Sequence, residues 1–177
     1  MINIDWDERK LYLPESDEAI SFAMASHEIG HLVAKGRIEP SADNFDSTYQ
    51  EEKRAWNVGW EYLEKYLDEY YKDEPRMIVS IKKIKEAIEK ITMDITLLTK
   101  PFYGKTGDEE KQRENFAETK TGKEIKKRMD EIEDRVAEEI KKLDEPRLAK
   151  KIDWGKYCEV VKKALLDIEE DNKKTNN

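Results

Sequence analysis

Both histidines of this chain lie in one stretch, FAMASHEIGHLVAKG at residues 22–36, with Glu28 directly after His27 and His31 four positions on. Residues four apart share a helix face, so the two imidazoles can meet a single metal ion. Glu28 projects beside that face, where it can hold a zinc-bound water and take its proton as a general base. Zinc would contribute Lewis acidity and lower the pKa of that water. The neighbours Phe22, Ala23, Met24, Ala25, Ile29, Leu32, Val33 and Ala34 form one of the least polar helical segments in the chain. Imidazoles sited there are partly buried and need partners, which favours a metal pair over a surface coincidence.

A catalytic zinc takes three protein ligands and an open fourth position. No third histidine exists, and the extended motif HExxHxxGxxH meets Ala34 and Arg37 at its last two fixed positions. The remaining source is a carboxylate on the next helix, where TYQEEKRAWNVGW offers Glu51 and Glu52. Helical phase aligns Glu52 with Trp56, Gly59 and Leu63 on the apolar side, and Glu51 with Arg54 and Val58. Gly30 and Ala34 on the first helix, facing Ala55 and Gly59 on the second, would allow a close approach that carries Glu52 toward the histidines. Phase and approach together favour Glu52 over Glu51.

The elements that must position these groups are mostly helical. Alternation in residues 2–13 predicts a short β-hairpin turning near Asp7–Arg9 and ended by Pro14. A first helix runs from Ala19 to Ala34, capped by Ser16 or Asp17 and stopped by Gly36. Residues 36–47 read as a loop. Ser47, with Gln50 as its capping-box partner, opens a second helix reaching about Lys72 with a stripe of Trp56, Trp60, Leu63 and Leu67. Pro75 opens a third, carrying Ile78, Ile81, Ile84, Ile88, Ile91 and Ile95, and KPFYGKTGD at 100–108 is a second loop. From Asp108 to Leu143 the only apolar seam is Ile125, Met129, Ile132, Val136 and Ile140, which suits a helix lying across others or a coiled-coil contact. A last helix spans roughly Trp154 to Glu169, and the tail DNKKTNN is expected to be disordered.

The pair FAMASHEIGH and Glu52-Lys53-Arg54-Ala55 resembles the gluzincin zinc metallopeptidases, in the style of small ImmA/IrrE-like and minimal M48-like members. The likeness covers about residues 10–63. It implies Zn2+ held by His27, His31 and Glu52, Glu28 as general base, and an N-terminal sheet edge that aligns an extended peptide or protein substrate. Two departures stand out. Less strand sequence precedes the motif than is usual, and Trp56 occupies a place where many members have an Asn or Asp that orients a ligand. The resemblance covers only a third of the chain, and the last hundred residues find no counterpart in it.

The expected fold class is therefore α+β, predominantly helical. It comprises a zincin-like active-site helix, a short N-terminal β-hairpin and a C-terminal helical extension. Residues 1–75 would form the minimal core and residues 76–177 the extension packed on it. That extension could bind a partner, form a homo-oligomer, or cover the cleft and hold the enzyme inactive.

Composition bounds the alternatives. In 177 residues, 42% are charged and 37% apolar, so a modest core of amphipathic helices is expected. A net charge of −8 gives no support to nucleic-acid binding, because phosphate backbones demand basic surfaces. The single cysteine, Cys158, can make neither an internal disulfide nor a thiolate metal cluster. With no signal-peptide core in MINIDWDERK and no long apolar run, a soluble cytoplasmic protein without membrane association is expected. Transition-state stabilisation has two candidates, Tyr49 and Tyr103, neither marked by the sequence above a packed tyrosine. Two rival readings accompany the peptidase: a non-catalytic zinc-binding helical module, and a helical interaction protein in which HEIGH is accidental.

Overall fold

The computed structural model describes residues 3–5, 10–12, 19–41, 44–102, 119–143 and 154–175. The described residues hold five helices, α1 (Ala19–Leu32), α2 (Phe45–Tyr70), α3 (Pro75–Leu98), α4 (Lys120–Leu143) and α5 (Trp154–Thr175), with a 3-10 turn at Lys100–Phe102 after α3. The α+β class expected from sequence is corrected to a helical one. Among the described residues, strand structure is confined to β1 (Asn3–Asp5) and β2 (Lys10–Tyr12), paired antiparallel with Ile4 opposite Leu11. Two strands of this length cannot bury a face or stand as a layer. Every buried residue described lies on a helix or in the turn that follows one. The N-terminal β-hairpin is thus no architectural part of this fold, and a zincin-like sheet beside α1 is not found among the described residues.

The core forms because α1 is apolar on nearly all sides. Phe22, Ala23, Ala25 and Ile29 are fully buried, and they pack with Trp56, Leu63 and Leu67 of α2 and Met77, Ile81 and Ile84 of α3. Tyr157, Val160, Val161, Ala164 and Ile168 of α5 belong to the same cluster. A helix buried all round must be enclosed by others, and α1 accordingly contacts α2, α3 and α5. The seam residues Ile125, Met129, Ile132 and Ile140 of α4 are half-buried, and α4 packs on α3.

Three boundaries differ from the sequence reading. α2 begins at Phe45, and its cap is Asn44, whose Oδ1 accepts from the amides of Asp46 and Ser47 at 3.1 and 3.3 Å. Ser47 is already inside the helix, its hydroxyl donating back to the Asn44 carbonyl at 2.9 Å. α1 ends at Leu32, two residues early, and the following turn closes with Gly36 at φ +72°, the left-handed backbone that glycine adopts freely. The third difference is the C-terminus: Asp171–Thr175, expected to be disordered, complete α5. Asn172 explains this. Its Nδ2 donates to Leu32 O and its Oδ1 accepts from Ala34 N, both at 2.9 Å, so it satisfies two groups at the open end of α1. Ser16, Asp17, Tyr103 and residues 104–118 lie outside the described residues.

Candidate metal centre

The site depends on how closely α1 and α2 approach. A Cβ placed on Gly30 would lie 1.9 Å from Ala55 O, and one on Gly59 would lie 1.7 Å from Ser26 O. Each glycine therefore seats the other helix's backbone against its own. Ala55 and both glycines do what their size suggested; Ala34 is exposed and takes no part in the contact.

With the backbones this close, one turn of α1 faces one turn of α2. His27 Nε2 lies 3.3 Å from His31 Nε2 and 3.1 Å from Glu52 Oε2, while His31 Nε2 lies 3.7 Å from Glu52 Oε1. Ligand bonds of 2.0–2.1 Å arranged tetrahedrally put neighbouring donor atoms about 3.3 Å apart. The three donors span that edge length, and together they could hold a metal ion. The donor chemistry fits as well: two imidazoles and a carboxylate suit a borderline divalent cation. Glu52 retains 25% side-chain exposure and His31 17%, so solvent reaches the cluster.

Charge reinforces the geometry. Burial alone would raise the Glu52 carboxyl, but hydrogen bonds from His27 and His31 hold it down at about 2. It is therefore an anion at any ordinary pH. Burial disfavours protonation of His31, yet Glu52, with Glu28 and Glu51, carries its pKa above the usual imidazole value. Glu28 is half-buried, and its charge is felt at His31.

Glu51 does what helical phase did not suggest. It is 2% exposed, more deeply buried than Glu52. Its Oε2 accepts from Arg54 Nε and from Ile38 N, each at 2.8 Å. Its Oε1 accepts from Arg54 Nη2 at 2.7 Å and faces His31 Nδ1 at 3.4 Å. Four contacts from three residues use the four lone pairs of a carboxylate, so Glu51 has none to offer a metal. Burial would raise this carboxyl too, but Arg54 and the Ile38 amide lower it below the usual range. Arg54 completes the arrangement by donating to Gly30 O at 3.1 Å and Lys35 O at 3.3 Å.

The other histidine is held differently. The His27 ring stacks on Trp56 with centroids 4.5 Å apart and planes 29° from parallel. Its Nδ1 is buried without a hydrogen-bond partner among the described residues. Trp56, read in sequence as the loss of an orienting hydrogen bond, instead supplies a flat wall. Tyr49 stacks on Phe45 in the first turn of α2, at 5.7 Å between centroids. The sequence placed Arg54 in phase with Glu51 but assigned it no role, although a spacing of three is an ion-pair signal on a helix.

Comparison with protein-family models, with curated proteins and with solved structures yields no match. Among the described residues, no helix is long and apolar enough to cross a membrane.

Proposed function

We propose that this protein is a zinc-dependent metallopeptidase of gluzincin type, with His27, His31 and Glu52 as zinc ligands and Glu28 as general base. The observation that carries the reading is the convergence of the two imidazole Nε2 atoms and the Glu52 carboxylate at 3.1–3.7 Å, beside a close helix contact built by two glycines. The sequence order HEIGH followed by Glu52-x-x-Ala55 supports the gluzincin assignment. Bound there, zinc supplies Lewis acidity and lowers the pKa of a water molecule it binds.

The chain's own residues would divide the remaining work. His27 and His31 present neutral Nε2 lone pairs, and Glu52 balances charge as the anionic ligand. Glu28, adjacent to His27 but outside the ligand triangle, takes the proton from the attacking water and returns it to the leaving amine. Its partial exposure keeps it accessible to a peptide or protein substrate entering from solvent.

Zinc analysis together with Glu28→Gln tests the proposal. The purified protein should bind one zinc equivalent and cleave an unstructured protein substrate such as casein. Glu28→Gln should retain the metal and lose at least about 10²-fold in rate, the low end of the contribution of a general base. Activity that survives this change would refute the peptidase.

One observation favours a second reading, the non-catalytic zinc-binding module. Gluzincin chemistry as implied by the resemblance uses a sheet edge to align substrate, and the described strands are three residues each. Under that reading the zinc content is the same, casein stays intact with either protein, and Glu28→Gln changes nothing.

A further inference from the structure

The geometry points to Glu51 as a positioning residue for the metal centre: anchored by Arg54, it fixes which nitrogen of His31 carries the proton and so aims Nε2 at the ligand triangle. This inference rests on reading His27, His31 and Glu52 as a metal site, and it assigns a role to a residue outside that set.

A histidine can ligate through either nitrogen, and the other nitrogen's hydrogen bond decides which. The Glu51 carboxylate has no proton to give, so its approach to His31 Nδ1 at 3.4 Å favours an N–H on that nitrogen. When His31 is neutral, as a metal ligand must be, Nε2 is then the lone-pair nitrogen, and it is the atom facing His27 and Glu52. The carboxylate cannot swing away to spoil this. Arg54 grips both oxygens, Ile38 N holds Oε2, and the remaining lone pair of Oε1 is the one turned to His31. Arg54 is itself anchored to the carbonyls of Gly30 and Lys35, which flank His31 in sequence. The unit thus spans α2, the last turn of α1 and the turn beyond it.

A purely structural ion pair would explain Arg54 and Ile38. It would not explain why the fourth acceptor position of a buried carboxylate is turned to the Nδ1 of a histidine whose Nε2 faces the ligand triangle. His27 makes the contrast: its Nδ1 has no acceptor among the described residues, and Trp56 holds its ring by stacking. The two ligands are therefore oriented by different forces, one directional and one dispersive. Carboxylate partners of this kind raise ligand basicity, and losing one typically costs about 10- to 100-fold in metal affinity.

The test uses zinc affinity, by competition with a chromophoric chelator, and the histidine 15N and N–H resonances of the zinc-loaded protein. With only two histidines in the chain, both rings are assignable. In the wild type, His31 should show a downfield, exchange-protected Nδ1–H and His27 a less shifted one. Glu51→Gln should weaken zinc binding about 10- to 100-fold and move the His31 proton while leaving His27 in place. Unchanged affinity in a folded Glu51→Gln protein overturns the positioning role and leaves the metal centre standing. Should that variant fail to fold, the wild-type spectrum decides: a His31 Nδ1–H no further downfield than that of His27 rules the role out. A wild type that binds less than one zinc equivalent overturns the metal centre, and the positioning role with it.

Discussion

Glu51 and Glu52 are consecutive on α2, so their side chains leave the helix about 100° apart. That angle sends Glu52 across to the histidine pair and Glu51 toward the end of α1 and Ile38. Their environments follow. Glu52 keeps lone pairs for a cation, and Glu51 spends all of its own on protein donors. Glu52→Ala should therefore lower zinc affinity by more than about 100-fold, beyond the loss of an orienting partner. Calorimetric titration checks it; an affinity within tenfold of wild type would remove Glu52 from the ligand set. The HEIGH motif and its proposed division of labour were legible in sequence, as was the preference for Glu52. The burial of Glu51 was not. Phase along one helix identifies an apolar stripe, but a turn folded over the opposite edge can bury a charge there when it brings donors with it.

At the scale of elements, the α1–α2 contact is built on absent side chains. The atoms that an added Cβ would meet are backbone ones, which cannot rotate away. Gly59→Ala should force the helices apart and cost at least about 3 kcal/mol, the upper range for overpacking. Chemical denaturation measures it, and zinc binding should weaken in parallel because the proposed ligands sit on both helices. A wild-type denaturation midpoint would show that the pair is not so closely packed. Gly30, Ala55 and Gly59 were readable as a small-residue contact because their helical spacing survives without knowledge of the fold. Helix ends were less readable. Asn44 outcompeted Ser47 as cap because it stands just before Phe45, whose burial pulls the start of α2 two residues earlier.

For the whole molecule, α5 is the element that closes the core over α1. Tyr157 lies buried against Phe22, with ring centroids 4.6 Å apart, and its hydroxyl donates to Ser21 O at 3.3 Å. Tyr62 of α2 donates to Asp171 of α5 at 2.9 Å, and Lys163 of α5 pairs with Glu69 of α2. Asn172→Ala removes two hydrogen bonds at the end of α1 and should cost about 1–3 kcal/mol. Thermal unfolding tests this, and an unchanged midpoint would mean the last turn of α5 is not docked. Alkali should loosen the same contact. Burial first, then Asp171, raises Tyr62 to about 12, and burial raises Tyr157 further. An unfolded tyrosine ionises near 10, so the folded state binds these protons more tightly. Stability from the two hydroxyls is complete below about pH 10 and declines as pH rises toward 12. Absorbance at 295 nm beside circular dichroism would follow it. Eight tyrosines titrating together near 10 with helicity intact would contradict the prediction.

Sequence alone determined the helical segments, the HEIGH pair and the small residues opposite it, because each is a pattern carried within a few turns of one helix. Tertiary structure decided the rest. It reduced the expected β layer to two three-residue strands, drew Asp171–Thr175 into α5, and made Glu51 a buried anion beside His31. In the last two cases the deciding partner lies elsewhere in the chain: α5 reaches Leu32 through Asn172, and Glu51 meets Ile38 across a turn. Local periodicity shows which faces are apolar. Only the assembled helices determine which polar groups those faces enclose, and what they must be bonded to once water is gone.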